Sequence, residues 1–74
     1  MAFSLEQAQP TRLAIHDAGG RLVRVLVDEI LAPGVHAVTF DGRTDDGRPI
    51  DSGVYFVRVE VPGWAENTKL LWLR

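Results

Sequence analysis

The stretch Ser52-Gly53-Val54-Tyr55-Phe56-Val57-Arg58-Val59-Glu60-Val61 decides the fold. Tyr55, Val57, Val59 and Val61 share one parity, and Arg58 and Glu60 share the other. Successive side chains of a strand point to opposite faces, so this alternation describes a strand with one buried face. Working outward, Leu13 and Ile15 alternate with Arg12, Ala14 and His16, and Val38 and Phe40 alternate with Ala37 and Thr39. Turn residues part these runs. Ala18-Gly19-Gly20, Pro33-Gly34, the polar stretch 42–53 and Pro62-Gly63-Trp64-Ala65 all read as loops, because glycine supplies positive φ and proline fixes φ near −65°. Six strands are therefore predicted, at about residues 3–6, 11–17, 21–28, 35–41, 54–61 and 68–73. Their spacing of roughly 8–12 residues is that of an all-β sandwich or barrel. The stretch 21–31 is ambiguous. Leu22, Val23, Leu26, Ile30 and Leu31 also fit a helical stripe, but the β-branched residues and the flanking glycines favour a strand. No internal repeat and no low-complexity segment is visible.

Seventy-four residues make one small domain, residues 1–74. A chain of this size buries only about 60% of its unfolded surface, so its core is thin. It is 46% apolar and 24% charged, which argues against intrinsic disorder. The net charge of −2 is unlike a nucleic-acid binder. Cysteine is absent, which removes disulfides and the zinc-finger pattern. No apolar run reaches the roughly 18–20 residues of a membrane helix. The first residues lack the basic and apolar regions of a signal peptide.

The search for chemistry yields little. Ser4 and Ser52 are candidate nucleophiles and His16 and His36 candidate bases, but neither serine lies in a Gly-x-Ser-x-Gly elbow. The two histidines lack the further ligands that a metal site needs. No paired catalytic groups can be placed, so a non-enzymatic protein without a cofactor is expected. Asp41, Asp45, Asp46 and Asp51 crowd one loop, and the first three are weak candidates for calcium. Their spacing does not fit an EF-hand, and Arg43 and Arg48 lie among them, so a structural loop is the better reading. Trp64, in a turn, and Trp72, in the last strand, read as a core edge or a patch against a neighbouring domain rather than a sugar platform. Arg12, Arg21, Arg24, Arg43, Arg48 and Arg58 are scattered and read as a solvated face. Gly19-Gly20 lacks the spacing of a phosphate loop.

Taken together, the motifs are more specific than any one of them. Leu13-Ala14-Ile15-His16-Asp17-Ala18-Gly19-Gly20-Arg21-Leu22-Val23-Arg24, Gly34-Val35-His36-Ala37-Val38-Thr39-Phe40-Asp41-Gly42-Arg43, and Ser52-Gly53-Val54-Tyr55-Phe56 follow one another in order. With the tail Lys69-Leu70-Leu71-Trp72-Leu73-Arg74, the set resembles two related groups of bacterial extracellular Ig-like modules. One is the Ig-like domain of the flagellar hook-capping protein. The other is the C-terminal sorting domain of type IX secretion cargo, which the Ser-Gly-Val-Tyr-Phe block and the tail favour. His16, Phe40 and Trp72 stand where those families usually carry Tyr, Trp and a smaller aliphatic residue.

The resemblance implies an Ig-like or fibronectin-III-like β-sandwich of six or seven short antiparallel strands. It implies a secreted or cell-surface location and a C-terminal piece of a longer exported protein. The main functional expectation is a sorting or anchoring module. Its recognition strand would be Lys69, Leu70, Leu71, Trp72, Leu73 and Arg74, read by secretion or surface-attachment machinery and joined to upstream domains of the parent protein. An alternative keeps these residues purely structural, with Leu71 and Leu73 buried. The rival functions are a structural adaptor that packs against copies of itself, and an accessory domain that binds carbohydrate or calcium. Exposed β edges make a homodimer by edge-strand pairing an alternative to a monomer.

Overall fold

The computed structural model describes residues 1–73 and is all-β. Its strands are β1 (Ala2–Leu5), β2 (Gln9–Asp17), β3 (Leu22–Leu31), β4 (Gly34–Ala37), β5 (Gly53–Val61) and β6 (Trp64–Trp72). The ambiguous stretch is thus a strand. β2, β3, β5 and β6 form an antiparallel sheet in the order β3-β2-β5-β6, and β1 pairs with β4 in a second, two-stranded sheet. Among the described residues no helix is long and apolar enough to cross a membrane.

Parity places the core. Leu13 and Ile15 of β2 stand opposite Val59 and Val57 of β5, and Tyr55 continues the same face. Leu13, Ile15, Tyr55 and Val57 are buried, and Phe3, Val38 and Phe40 pack against them from the other layer. Each such side chain contributes about 1.5–3 kcal/mol when fully buried. The Tyr55 hydroxyl donates to the Asp51 carbonyl at 2.7 Å. That bond to a carbonyl just upstream resembles the tyrosine corner of Ig-type sandwiches.

Several boundaries differ from the sequence reading by one to three residues, and two differ by four. The fourth strand ends at Ala37 rather than running to residue 41. Beyond it Val38 exchanges backbone hydrogen bonds with Met1 at 2.8 and 2.9 Å, and Val38 and Phe40 cover the core. The last strand begins at Trp64, not residue 68. Val61 pairs directly with Trp64, so Pro62-Gly63 is a complete two-residue turn. Trp64 is a strand residue and not part of a loop.

The polar stretch after β4 is an ordered hairpin. Thr44 N–H donates to Arg48 O, Gly47 N–H to Thr44 O, and Ile50 N–H to Gly42 O, at 2.8, 3.0 and 2.8 Å. A bridge joins Arg43 and Pro49. Buried Ile50 pins the hairpin into the core. The same turn recurs between β2 and β3. There Asp17 N–H donates to Arg21 O, and Gly20 N–H to Asp17 O. In both turns the first side chain also accepts from the fifth residue's N–H: Asp17 Oδ1 from Arg21 at 2.9 Å, and Thr44 Oγ1 from Arg48 at 3.1 Å. A five-residue motif, Asp/Thr-x-x-Gly-Arg, is therefore used twice, although the sequence shows no repeat.

Gly42 closes the core at its end. Its φ is +76°, and a Cβ there would lie 2.2 Å from Cζ2 of Trp72. The Trp72 indole rests on this glycine and meets Phe40 with ring centroids 5.2 Å apart. Gly47 has φ +87° but no atom within 4 Å of its Cβ position.

A 74-residue domain holds about 4–11 kcal/mol of net stability. Leu13→Ala, at about 2–5 kcal/mol, removes a large part of that and lowers the urea midpoint steeply. Gly47→Ala costs only the backbone term of about 1–2 kcal/mol. Gly42→Ala costs that and the displacement of Trp72, so it is clearly the worse of the two. Equilibrium denaturation followed by tryptophan fluorescence checks both orders.

Candidate functional site

A sheet with two lateral edges exposes unpaired N–H and C=O groups at each, and proteins usually protect them. Here the two edges of the large sheet differ. β3 carries irregularities opposite Leu13/Ala14 and Ile15/His16. It is also capped by the acidic loop. Asp45 N–H donates to Val23 O at 3.2 Å, and Val25 N–H donates to Asp45 Oδ1 at 3.1 Å. Arg24 holds the loop there. Its Nη1 donates to Asp41 Oδ1 at 3.0 Å and to the Arg43 carbonyl at 3.1 Å, and its Nε lies 3.8 Å from Asp45.

The calcium candidates are thus engaged by the protein itself and face two separate cations, Arg24 and Arg48. Asp41 and Asp45 face Arg24 and backbone N–H groups. Asp46 accepts from the Thr44 hydroxyl and lies 3.5 Å from Arg48. The Thr44 hydrogen bond, then a backbone hydrogen bond and the Arg48 charge, hold the Asp46 carboxyl below the usual aspartate range. Among the described residues no three His, Asp or Glu side chains gather for a metal ion. On sequence alone Arg24 reads as one of several solvated arginines. Its importance showed only in the carboxylates that needed a cation nearby.

The other edge, β6, is long and regular. Its nine residues pair with β5 without a shift. The Val61–Trp64 pair closes a two-residue hairpin, so these two residues exchange both hydrogen bonds. By alternation, Trp64, Glu66, Thr68, Leu70 and Trp72 turn their backbone groups to β5. Ala65, Asn67, Lys69 and Leu71 turn theirs outward. On the core side Leu70 and Trp72 pack inward. Leu71 is 62% exposed and Leu73 is 75% exposed. The alternative in which both leucines are buried is therefore corrected: β6 alternates, and their parity points away from the core. Lys69 is exposed, and Arg74, the last residue of the expected recognition strand, lies outside the described residues.

Beside β6, the second layer is incomplete. An open cleft of about 1180 Å³ runs between β1 and the inner face of β5 and β6, lined by Phe3, Leu5, Leu13, Val59, Trp64 and Leu70 among others. Trp64 is 53% exposed at its rim. Trp64 and Trp72 share a face, but eight residues of strand put them about 27 Å apart, which makes no joint sugar platform. The remaining candidates are scattered. His36 stacks on Phe3 at 5.6 Å and its Nε2 lies 2.7 Å from the Ala32 carbonyl. His16 pairs with Phe56 in the ladder between β2 and β5. Ser4 lies on β1 opposite Val35.

Comparison with known proteins agrees with this architecture. The model of the FlgD Ig-like domain matches residues 1–63, which reaches the turn before β6. The basal-body rod modification protein FlgD of Salmonella typhimurium is 37% identical over 60 residues, covering 77% of this chain. FlgD of Salmonella typhi matches to the same extent. The chain spans about a quarter of the length of these relatives, 26% in each case. Of the two resemblances read from the sequence, the flagellar one is thus matched. Six antiparallel strands in two sheets, the hairpin geometry and the family match lead to one conclusion: the chain belongs to the FlgD Ig-like domain family.

Proposed function

We propose that this chain is a non-enzymatic structural adaptor, an Ig-like module that works by packing against protein neighbours in an extracytoplasmic, flagellar-type assembly. The observation that carries this reading is the β6 edge: nine regular residues with the exposed apolar side chains Trp64 and Leu71. Such an edge offers hydrogen bonds along its backbone and apolar contacts beside them, which is what strand addition uses. The similarity to FlgD supplies the setting, since those relatives are basal-body rod modification proteins by name. The covering of Val23–Val25 on β3 by Asp45 fits the same reading, because it disfavours strand addition at that stretch of the other edge.

A second reading, the C-terminal sorting module, draws on a different observation. Leu71 and Leu73 point outward at the end of the last strand, where a translocon or an attachment enzyme would reach them.

A domain exchange and a reporter fusion separate the two. The adaptor reading predicts that Salmonella FlgD carrying this chain in place of its own matched segment restores hook formation, scored by electron microscopy. It also predicts that a reporter fused to residues 1–74 stays in the periplasm of cells with a type IX translocon. A stable, folded chimera that builds no hooks, together with translocon-dependent release of the reporter, would overturn the adaptor reading in favour of sorting.

A further inference from the structure

We infer that β6 is a self-complementary docking strand: two copies of this chain join antiparallel through it, about a two-fold axis at Thr68, to make one eight-stranded sheet. This inference rests on the adaptor reading and names its partner as a second copy.

The edges restrict the choice of surface. β1 and β4 are each four residues long, and β3 is irregular and capped by Asp45. Among the described strands, β6 is the long edge strand that pairs with its neighbour without a register shift and that no loop covers.

The outward backbone groups belong to Ala65, Asn67, Lys69 and Leu71, so hydrogen-bonded pairs across the interface must join residues of this set. A one-residue slip would aim the wrong groups and the wrong faces at each other. With the axis at Thr68, Ala65 faces Leu71 of the second copy, and Asn67 faces its Lys69. About eight inter-chain hydrogen bonds result. On the inner face Thr68 faces Thr68, Glu66 faces Leu70, and Trp64 faces Trp72. Threonine pairs and aromatic pairs are favourable cross-strand neighbours, and no like charges stand opposite. The exposed Trp64 ring extends the stack that Trp72 already makes with Phe40.

The neighbouring registers are poorer. An axis at Lys69 sets two ammonium groups face to face. An axis at Asn67 sets Leu71 opposite Gly63, in the turn beyond the strand, and shortens the ladder. The side chains of β6 thus select both the partner and the register.

The chain has no cysteine, so single thiols are clean reporters. Thr68 is exposed on β6. In the inferred dimer Thr68→Cys meets its own counterpart in a non-hydrogen-bonded pair, with Cα atoms about 4.5 Å apart, within disulfide range. Under mild oxidation it should form a covalent dimer at least about tenfold faster than Val35→Cys on exposed β4, because pairing raises the local thiol concentration. Adding Asn67→Pro, which removes an outward N–H and leaves the β5 ladder intact, should return Thr68→Cys to the control rate. A second test needs no proline. A mixture of Ala65→Cys and Leu71→Cys chains should cross-link with each other faster than either does alone. Equal rates for Thr68→Cys and Val35→Cys, with no preference in the mixture, would overturn the inference. A chimera that still built hooks would then leave the adaptor reading standing on another surface.

Discussion

Asp45 makes two hydrogen bonds to the backbone of β3, one through its own N–H and one through its carboxylate, and the character of the molecule depends on them. They cover the Val23–Val25 stretch of one edge of the four-stranded sheet. The bonds are possible because Arg24 pulls Asp41, the Arg43 carbonyl and Asp45 to the strand. Exposed ion pairs of this kind contribute little stability singly, about 0–1 kcal/mol. Their effect here is positional. With that stretch covered and β3 bulged, the long regular edge of the large sheet is β6.

The same loop completes the core. Two short strands, β1 and β4, are too narrow to cover the apolar face formed by Leu13, Ile15, Tyr55 and Val57. Val38 and Phe40 extend that cover, Ile50 anchors the far side of the hairpin, and Trp72 closes over Gly42. One segment therefore seals the core, caps an edge and ties the last strand to the rest. Toward β1 the cover runs out, and the cleft beside Trp64 and Leu70 marks where the second layer stops.

Much of this was legible in the sequence. Period-two alternation in β2 and β5 gave the sheet and its buried face, because one-sided burial leaves a strict pattern. Glycines and prolines marked most of the turns. Boundaries were less clear where polar strand residues resemble a loop. Ala65, Glu66 and Asn67 pair with Glu60, Val59 and Arg58, yet nothing in their side chains announces a strand, since an edge strand has little to bury. Val38 and Phe40 alternate like strand residues although β4 ends at Ala37; Val38 bonds to Met1 and both side chains cover the core. The loop carboxylates read as a structural loop, but their targets on β3 are some twenty residues away, and sequence spacing carries no such information. The shared turn of residues 17–21 and 44–48 was visible only as isolated Gly-Arg pairs, because the accepting side chain is Asp in one and Thr in the other. The tail suggested the sorting branch, whereas the family match is to the flagellar branch. A few terminal residues weigh less than an ordered set of turns and strands.

Amide hydrogen exchange followed by NMR over a range of protein concentrations tests the central claim, an asymmetric sheet with one bulged, loop-covered edge end at Val23–Val25 and one self-pairing edge at β6. The account predicts that Val25 is protected at every concentration. Asn67, Lys69 and Leu71 should exchange fast in dilute solution and become protected as concentration rises, while Glu66, Thr68 and Leu70 stay slow throughout. Outward β6 amides that remain fast at millimolar concentration, or a Val25 amide that is never protected, would contradict it.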